Sequence, residues 1–254
     1  MRAFLAAIAF MTQIPVPGQE HISEKNLVRA VAFFPLVGLI IGIILLFSGW
    51  ALPFLFPVPP VNAALLLTLW VALTGAMHLD GLSDTFDGIG GGIDRQRRLR
   101  IMKDSGTGTF GMAAVFLLLL LKYSLLLGME GQLLAAGLLL APLLSRWSLV
   151  LLTCTTPYAR ENEGLGRPFI EKAGKKELAV ATATAAAAGI LYSWVIFLFL
   201  LPAVVLATVG ARLFFLRKLG GITGDCLGAV NELMELLVLL CIAAPLIPAL
   251  GWAL

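Results

Sequence analysis

Charge is scarce in this chain. Asp, Glu, Lys and Arg make up 13% of its 254 residues, about half the roughly 25% of a soluble domain, while 59% are hydrophobic. That balance excludes an ordinary soluble fold. The net charge of +3 says little alone; no nucleic acid partner is expected. Cysteine is nearly missing. Cys154, Cys226 and Cys241 show neither paired metal spacing nor a disulfide framework, and read as small apolar fillers. Alternation of polar and apolar residues is absent too, which excludes the strands of an outer-membrane barrel. The opening "MRAFLAAIAFMTQIPVP" lacks a small-residue cleavage site and is short for a span. It predicts a helix lying in the interface or re-entering it, not a removed signal peptide.

What the chain has instead is long apolar runs, near residues 30–50, 61–78, 110–128, 132–153, 178–194, 196–214 and 229–252. Several approach the roughly 18–20 residues needed to cross a bilayer. The run Leu178–Ala211 contains no charge. As one helix it would exceed about 50 Å, against a hydrocarbon core of ~30 Å, so it divides into two spans turning near Ser193. The expectation is an all-α, polytopic membrane bundle of about seven transmembrane helices plus a short N-terminal helix, with residues 1–254 forming one domain.

The charges fit that division. Lys25 and Arg29 precede the first span; Arg95, Arg97, Arg98, Arg100 and Lys103 follow the second. Arg160, Arg167, Lys172, Lys175 and Lys176 follow the fourth, and Arg212, Arg217 and Lys218 the sixth. All fall on one face. The opposite face receives the uncharged "ALPFLFPVPPVN" and Glu130, with Lys122 near it. The positive-inside rule makes the charged face cytoplasmic, with loops at about 79–109, 154–178 and 212–228, and function is expected in the first two or just inside the adjoining helices.

Those loops begin with "AMHLDGLSDTFDGIGGG", residues 76–92. Asp80, Asp84 and Asp87 follow i, i+4, i+7 spacing, so a continuing second span would present all three on one face. Neighbouring carboxylates roughly 6 Å apart repel by about 3 kcal/mol at an effective dielectric near 20. No Lys or Arg lies between Met77 and Ile93. Either the acids take up protons or a cation sits among them, and hard oxygen donors favour Mg²⁺, Mn²⁺ or Ca²⁺ over zinc. His78 is open between ligand, proton relay and hydrogen-bonded interfacial side chain.

A second acidic stripe, Asp225, Glu232 and Glu235, enters the last span within "LGGITGDCLGAVNELMELLVLL". Acids there are costly in hydrocarbon and should face the bundle interior. Between the two stripes lies "DRQRRLRIMKDSGTGTFG", residues 94–111. Its basic residues suit phosphate or anionic headgroups. "SGTGTFG" leads into a helix start, which favours anions, but it lacks the Walker lysine. Paired metals beside arginines suit displacement at phosphorus. The residues alone reach a metal-dependent phosphoryl or phosphodiester transferase and leave its substrates open. An ion pathway for divalent cations is the alternative of another class.

The segments "FMTQIPVP", "FFPLVGLIIG", "MHLDGLSDTFDG", "RLRIMKDSGTGTFG", "ARENEGLG" and "LGGITGDCLGAVNEL" together resemble the cobalamin synthase family, adenosylcobinamide-GDP ribazoletransferase. The likeness runs in order from the N-terminal region to the final span. It implies attack of the 3′-hydroxyl of α-ribazole, or of its 5′-phosphate, on the phosphorus attached to cobinamide. GMP leaves, and adenosylcobalamin or its 5′-phosphate results. The family implies Mg²⁺ as cofactor and a site facing the cytoplasm in the cytoplasmic (inner) membrane. Oligomeric state stays open, a homo-oligomer included. Carried onto this chain, the resemblance makes Asp80, Asp84, Asp87 and Asp225 metal ligands. Asp104 becomes a ligand or a base orienting the attacking hydroxyl. His78 and Glu232 become supporting or proton-handling groups, and Arg100 and Lys103 contacts of the diphosphate. Asp84, Asp87 and Gly88 also look like the start of the CDP-alcohol phosphotransferase motif DxxDGxxAR, but the Ala-Arg and the closing GxxxDxxxD are missing.

Overall fold

The computed structural model describes residues 1–17, 23–104, 106–160, 164 and 166–245. Among them the chain is helical, with a single isolated β-bridge between Tyr158 and Ile222. The helices are α1 (Arg2–Met11), α2 (Glu24–Ala30), α3 (Phe34–Leu55), α4 (Pro59–Thr74), α5 (Met77–Gly91), α6 (Arg95–Ile101), α7 (Thr109–Gly128), α8 (Gly131–Thr155), α9 (Arg167–Lys172), α10 (Lys175–Leu219) and α11 (Gly224–Ala243).

Five of the described helical stretches are long and apolar enough to cross a bilayer, or six if α4 and α5 form one broken span. The protein is therefore a multi-pass membrane helical bundle. α10 runs 45 residues, but Ser193 leaves helical geometry (φ −163°, ψ 108°), at the place where the sequence divides the run. Seven spans are reached only if the two arms of α10 cross separately. Part of the seventh predicted run, 246–252, lies outside the described residues. α1 is the expected short N-terminal helix, yet Ala6, Ala7 and Met11 are buried against protein, so one face packs into the bundle. The 79–109 segment is less of a loop than expected, since α5 and α6 occupy most of it.

α8 forms the centre, with both faces buried between α3, α10 and α11. Gly38 and Gly42 of α3 lie against the backbone of α8 at Pro142 and Leu138. Small residues four apart allow such close helix contact inside a membrane, where packing replaces the hydrophobic drive. Large apolar side chains such as Phe47, Trp50, Phe116 and Leu191 point outward, as a lipid-facing surface requires.

Two backbone features place the acidic helix. α4 ends at Gly75 (φ 61°), and Ala76 also adopts a left-handed φ of 58°. A Cβ there costs about 1–2 kcal/mol, and the strain coincides with an 86° bend between α4 and α5. The Gln13 amide donates to the freed Leu73 carbonyl at 2.8 Å, anchoring the bend to the N-terminal segment. The acidic stripe is thus not a straight continuation of the second span; it rides on its own helix. The second feature is the crossing of α5 with α11. A Cβ on Gly81 would fall 2.8 Å from the Asp225 carbonyl and 3.1 Å from Gly228 Cα. Only hydrogen side chains permit this approach, and it carries Asp80 and Asp84 alongside Asp225.

Candidate active site

α5 gathers Asp80, Asp84 and Asp87 on one helix, as their spacing predicts. Their burial deepens along it: Asp80 is exposed, Asp84 half-buried and Asp87 buried. Asp225 sits in the first turn of α11, where the positive end of the helix favours a carboxylate. Thr223 caps that helix, accepting from the Cys226 amide at 3.3 Å and donating to Asp225 Oδ2 at 3.2 Å. Arg160 Nη2 donates to the same Oδ2 at 2.7 Å. Asp84 lies within electrostatic reach of Asp80, Asp225, Asp87 and the Arg160 guanidinium. Four carboxylates therefore share one neighbourhood with the positive charge of Arg160.

Among the described residues no three His, Cys, Asp or Glu side chains form a ready-made metal cage. One reason is visible at Asp87. Its carboxylate accepts from the Gly108 amide at 2.7 Å and the Gly111 amide at 2.8 Å. The anion favoured at the glycine-rich helix start is thus a side chain of the protein itself. The donor set still suits Mg²⁺, which keeps several waters and binds through one or two carboxylates plus substrate phosphate. Asp80, Asp84 and Asp225 are hard oxygen donors, partly open, and short of compensating positive charge.

The second acidic stripe has a different fate. Glu232 and Glu235 are buried, and Lys122 Nζ donates to both, at 2.6 and 2.5 Å. Arg146, fully buried in α8, pairs with the other oxygen of Glu235. Trp70 presents its ring 5.0 Å from Lys122 Nζ. Lys122 therefore points into the bundle, a direction that its place along the span does not fix. Glu232 belongs to this ion cluster, about 10 Å along α11 from Asp225 at 1.5 Å per residue. His78 stands between the two regions: buried, within reach of the charges of Arg146, Glu235 and Lys122, and with no partner for its Nε2 among the described residues.

The basic stretch divides. Arg95 donates to the carbonyls of Leu219 and Ala159 at 2.7 and 2.9 Å, and Arg98 to that of Lys218 at 3.3 Å. These two cap the C-terminus of α10. Arg100 and Asp104 instead line a surface hollow with Arg97 and Asp94, and Lys103 is exposed. Ser105 lies outside the described residues, as do 161–163 and 165 of the "ARENEGLG" loop.

Beside the acids opens a cavity of about 230 Å³. Asp80, Asp225 and His78 are among its lining residues, with Phe10, Phe34, Phe169 and Leu149. Phe10 stacks on Phe34 at 6.1 Å and meets Phe169 edge-on at 5.1 Å.

Sequence reasoning counted Arg160 only as a cytoplasmic charge and passed over Arg146. Both were detectable. Arg146 is a lone charge within an apolar span, and such a group needs a buried partner.

Residues 3–243 match the family described as CobS, cobalamin-5-phosphate synthase. Curated relatives named adenosylcobinamide-GDP ribazoletransferase cover nearly the whole chain. The relative from Syntrophobacter fumaroxidans is 42% identical over 93% of this chain and 96% of its own length. One from Pseudomonas aeruginosa is 41% identical over 96% and 98%, and one from Acetivibrio thermocellus 38% over 92% and 94%. No solved structure matches. With an agreement that runs from the first helix to the last, this chain belongs to the cobalamin-5-phosphate synthase family.

Proposed function

We propose that the chain is an adenosylcobinamide-GDP ribazoletransferase, working at the face of the cytoplasmic membrane where its basic loops lie. The 3′-hydroxyl oxygen of α-ribazole, or of its 5′-phosphate, attacks the phosphorus attached to cobinamide. The bond from that phosphorus to the bridging oxygen breaks, GMP leaves with the bridging oxygen, and the hydroxyl proton passes to a base. The observation that carries this reading is the shortage of positive charge around Asp80, Asp84 and Asp225, beside an open cavity.

Asp80, Asp84 and Asp225 would hold Mg²⁺, with Asp87 behind them. Bound there, the metal supplies charge neutralisation for the diphosphate and the leaving phosphate. Arg160 holds Asp225 in place. Arg100 and Lys103 would receive the donor's phosphates. Asp104, in the same hollow as Arg100, is positioned to orient the attacking hydroxyl only if the diphosphate reaches from that hollow to the acids. The cation-pathway alternative loses support, because Glu232 and Glu235 are tied to Lys122 and Arg146.

The test is direct. Purified protein in lipid, given Mg²⁺, adenosylcobinamide-GDP and α-ribazole, should form a cobalamin and one GMP per product. No product, or release of a nucleotide without a cobalamin, would reject the assignment.

A further inference from the structure

We infer that the short backbone bridge between residues 157–160 and 221–223 is a positioning device for Asp225, in which the Thr223 hydroxyl turns the carboxylate so that Oδ1 alone is offered to the cation. The inference rests on the metal reading proposed above. It starts from the backbone. The Ile222 amide donates to the Pro157 carbonyl at 2.9 Å, and the Ala159 amide to the Ile222 carbonyl at 2.8 Å. A Cβ on Gly221 would fall 2.4 Å from the Pro157 carbonyl oxygen, so only glycine lets the two segments lie this close. Arg95 fastens the same place from α6 through the Leu219 and Ala159 carbonyls. Each segment ends on a side chain aimed at Asp225, Arg160 from one and Thr223 from the other.

Both side chains reach the same atom. Arg160 Nη2 and the Thr223 hydroxyl donate to Oδ2, at 2.7 and 3.2 Å. Among the described residues no donor meets Oδ1. The Thr223 hydroxyl also lies 3.4 Å from Cys226 Sγ, but its single hydrogen favours an ionised carboxylate over a thiol. Oδ1 is unpaired yet not closed off, on a side chain that is 24% exposed, whereas Thr223 is fully buried. The protein thus spends its donors on one oxygen and leaves the other for a ligand. Partners that orient a ligating carboxylate are part of a metal site, and losing one costs about 10–100-fold in affinity. Thr223 is the informative member of the pair because it orients without charge. Removing Arg160 would also remove a positive charge that repels the cation.

The test uses the full chain in nanodiscs of zwitterionic lipid, with Mn²⁺ alone as the probe and the paramagnetic resonance of free Mn²⁺ as the readout. Thr223→Val keeps the shape and removes the hydroxyl. Its Kd for Mn²⁺ should rise about tenfold or more, while Thr223→Ser, which keeps the donor, should stay within about twofold of wild type. The hydroxyl also caps α11, so Thr223→Val should lower the heat midpoint as well. If Thr223→Val does not accumulate, Thr223→Gly, which a helix start tolerates better, is read in the same way. A lower heat midpoint with an unchanged Kd makes Thr223 a cap only, and overturns the inference while the metal reading stands. So does a Thr223→Ser protein that binds as weakly as Thr223→Val. A wild type that binds no Mn²⁺, or an Asp225→Asn protein that binds as tightly as wild type, overturns the metal reading, and the inference falls with it.

Discussion

Two acidic regions look alike in the sequence and differ in the fold. Asp80, Asp84 and Asp225 meet near a cavity with the Arg160 guanidinium in reach. Glu232 and Glu235 lie deeper, each bound to Lys122, with Arg146 on Glu235. In the deep region two carboxylates face two cations, and charge closes on itself within hydrocarbon. In the upper region the carboxylates outnumber the cation. A buried ion pair adds little net stability, but removing one partner leaves an uncompensated charge. The balanced cluster is therefore a structural clasp joining α7, α8 and α11. The unbalanced one is where an outside cation and a phosphorylated substrate can be received.

The largest expected effect falls on the unbalanced region. Asp84→Asn should lower GMP release by on the order of 10⁴-fold, about 5 kcal/mol of barrier, while the protein inserts and elutes as the wild type does. A variant lost to aggregation would show that Asp84 is needed to hold the bundle together, and the contrast would collapse. The next effect belongs to the clasp. Arg146→Met leaves Glu235 with Lys122 as its one cation and with the Asn231 amide on Oε1, and should destabilise the bundle by about 3–5 kcal/mol, read as a lower midpoint of heat inactivation in detergent. Unchanged thermal stability would remove the clasp from the account.

A double substitution sharpens the contrast. Lys122→Met alone strands buried Glu232, while Glu235 keeps Arg146, and should cost about as much as Arg146→Met. Adding Glu232→Gln removes the orphaned charge and should restore roughly 2 kcal/mol, a coupling within the range for residues in one ion network. No analogous rescue is expected between Asp84 and Arg160. Strict additivity in the deep pair would mean that Lys122 and Glu232 do not share a network in solution.

The sequence makes some of this legible. The i, i+4, i+7 spacing of the α5 acids needs only helical geometry, and it held. The division of the long apolar run near Ser193 needed only bilayer thickness, and the helix breaks there. The partners of Lys122 were hidden, because a topology count gives depth along a span but not the neighbours around it. Lys122 and Arg146 come from the consecutive helices α7 and α8, Glu232 and Glu235 from the distant α11, and only tertiary packing shows that they meet. The bend at Gly75 and Ala76 was equally hidden. Ala76 is an ordinary helix former, held in a left-handed conformation by the segment around Gln13.

Asp87 belongs to neither region fully, and its substitution should have the smallest effect. It shares the α5 face with Asp84, yet its charge is met by the Gly108 and Gly111 amides. Asn keeps one acceptor oxygen, but its amide nitrogen would face an N–H, donor against donor. Asp87→Asn should lose one charge-assisted hydrogen bond, about 1.5–3 kcal/mol, felt as a loosened start of α7 and a modest drop in thermal stability. Turnover should fall by roughly tenfold through the shifted helix, far less than for Asp84→Asn. A folded Asp87→Asn protein as inactive as Asp84→Asn would place its carboxylate among the groups that receive the cation. Two backbone amides would then orient a ligand without satisfying it, since each carboxylate oxygen has a second lone pair to offer.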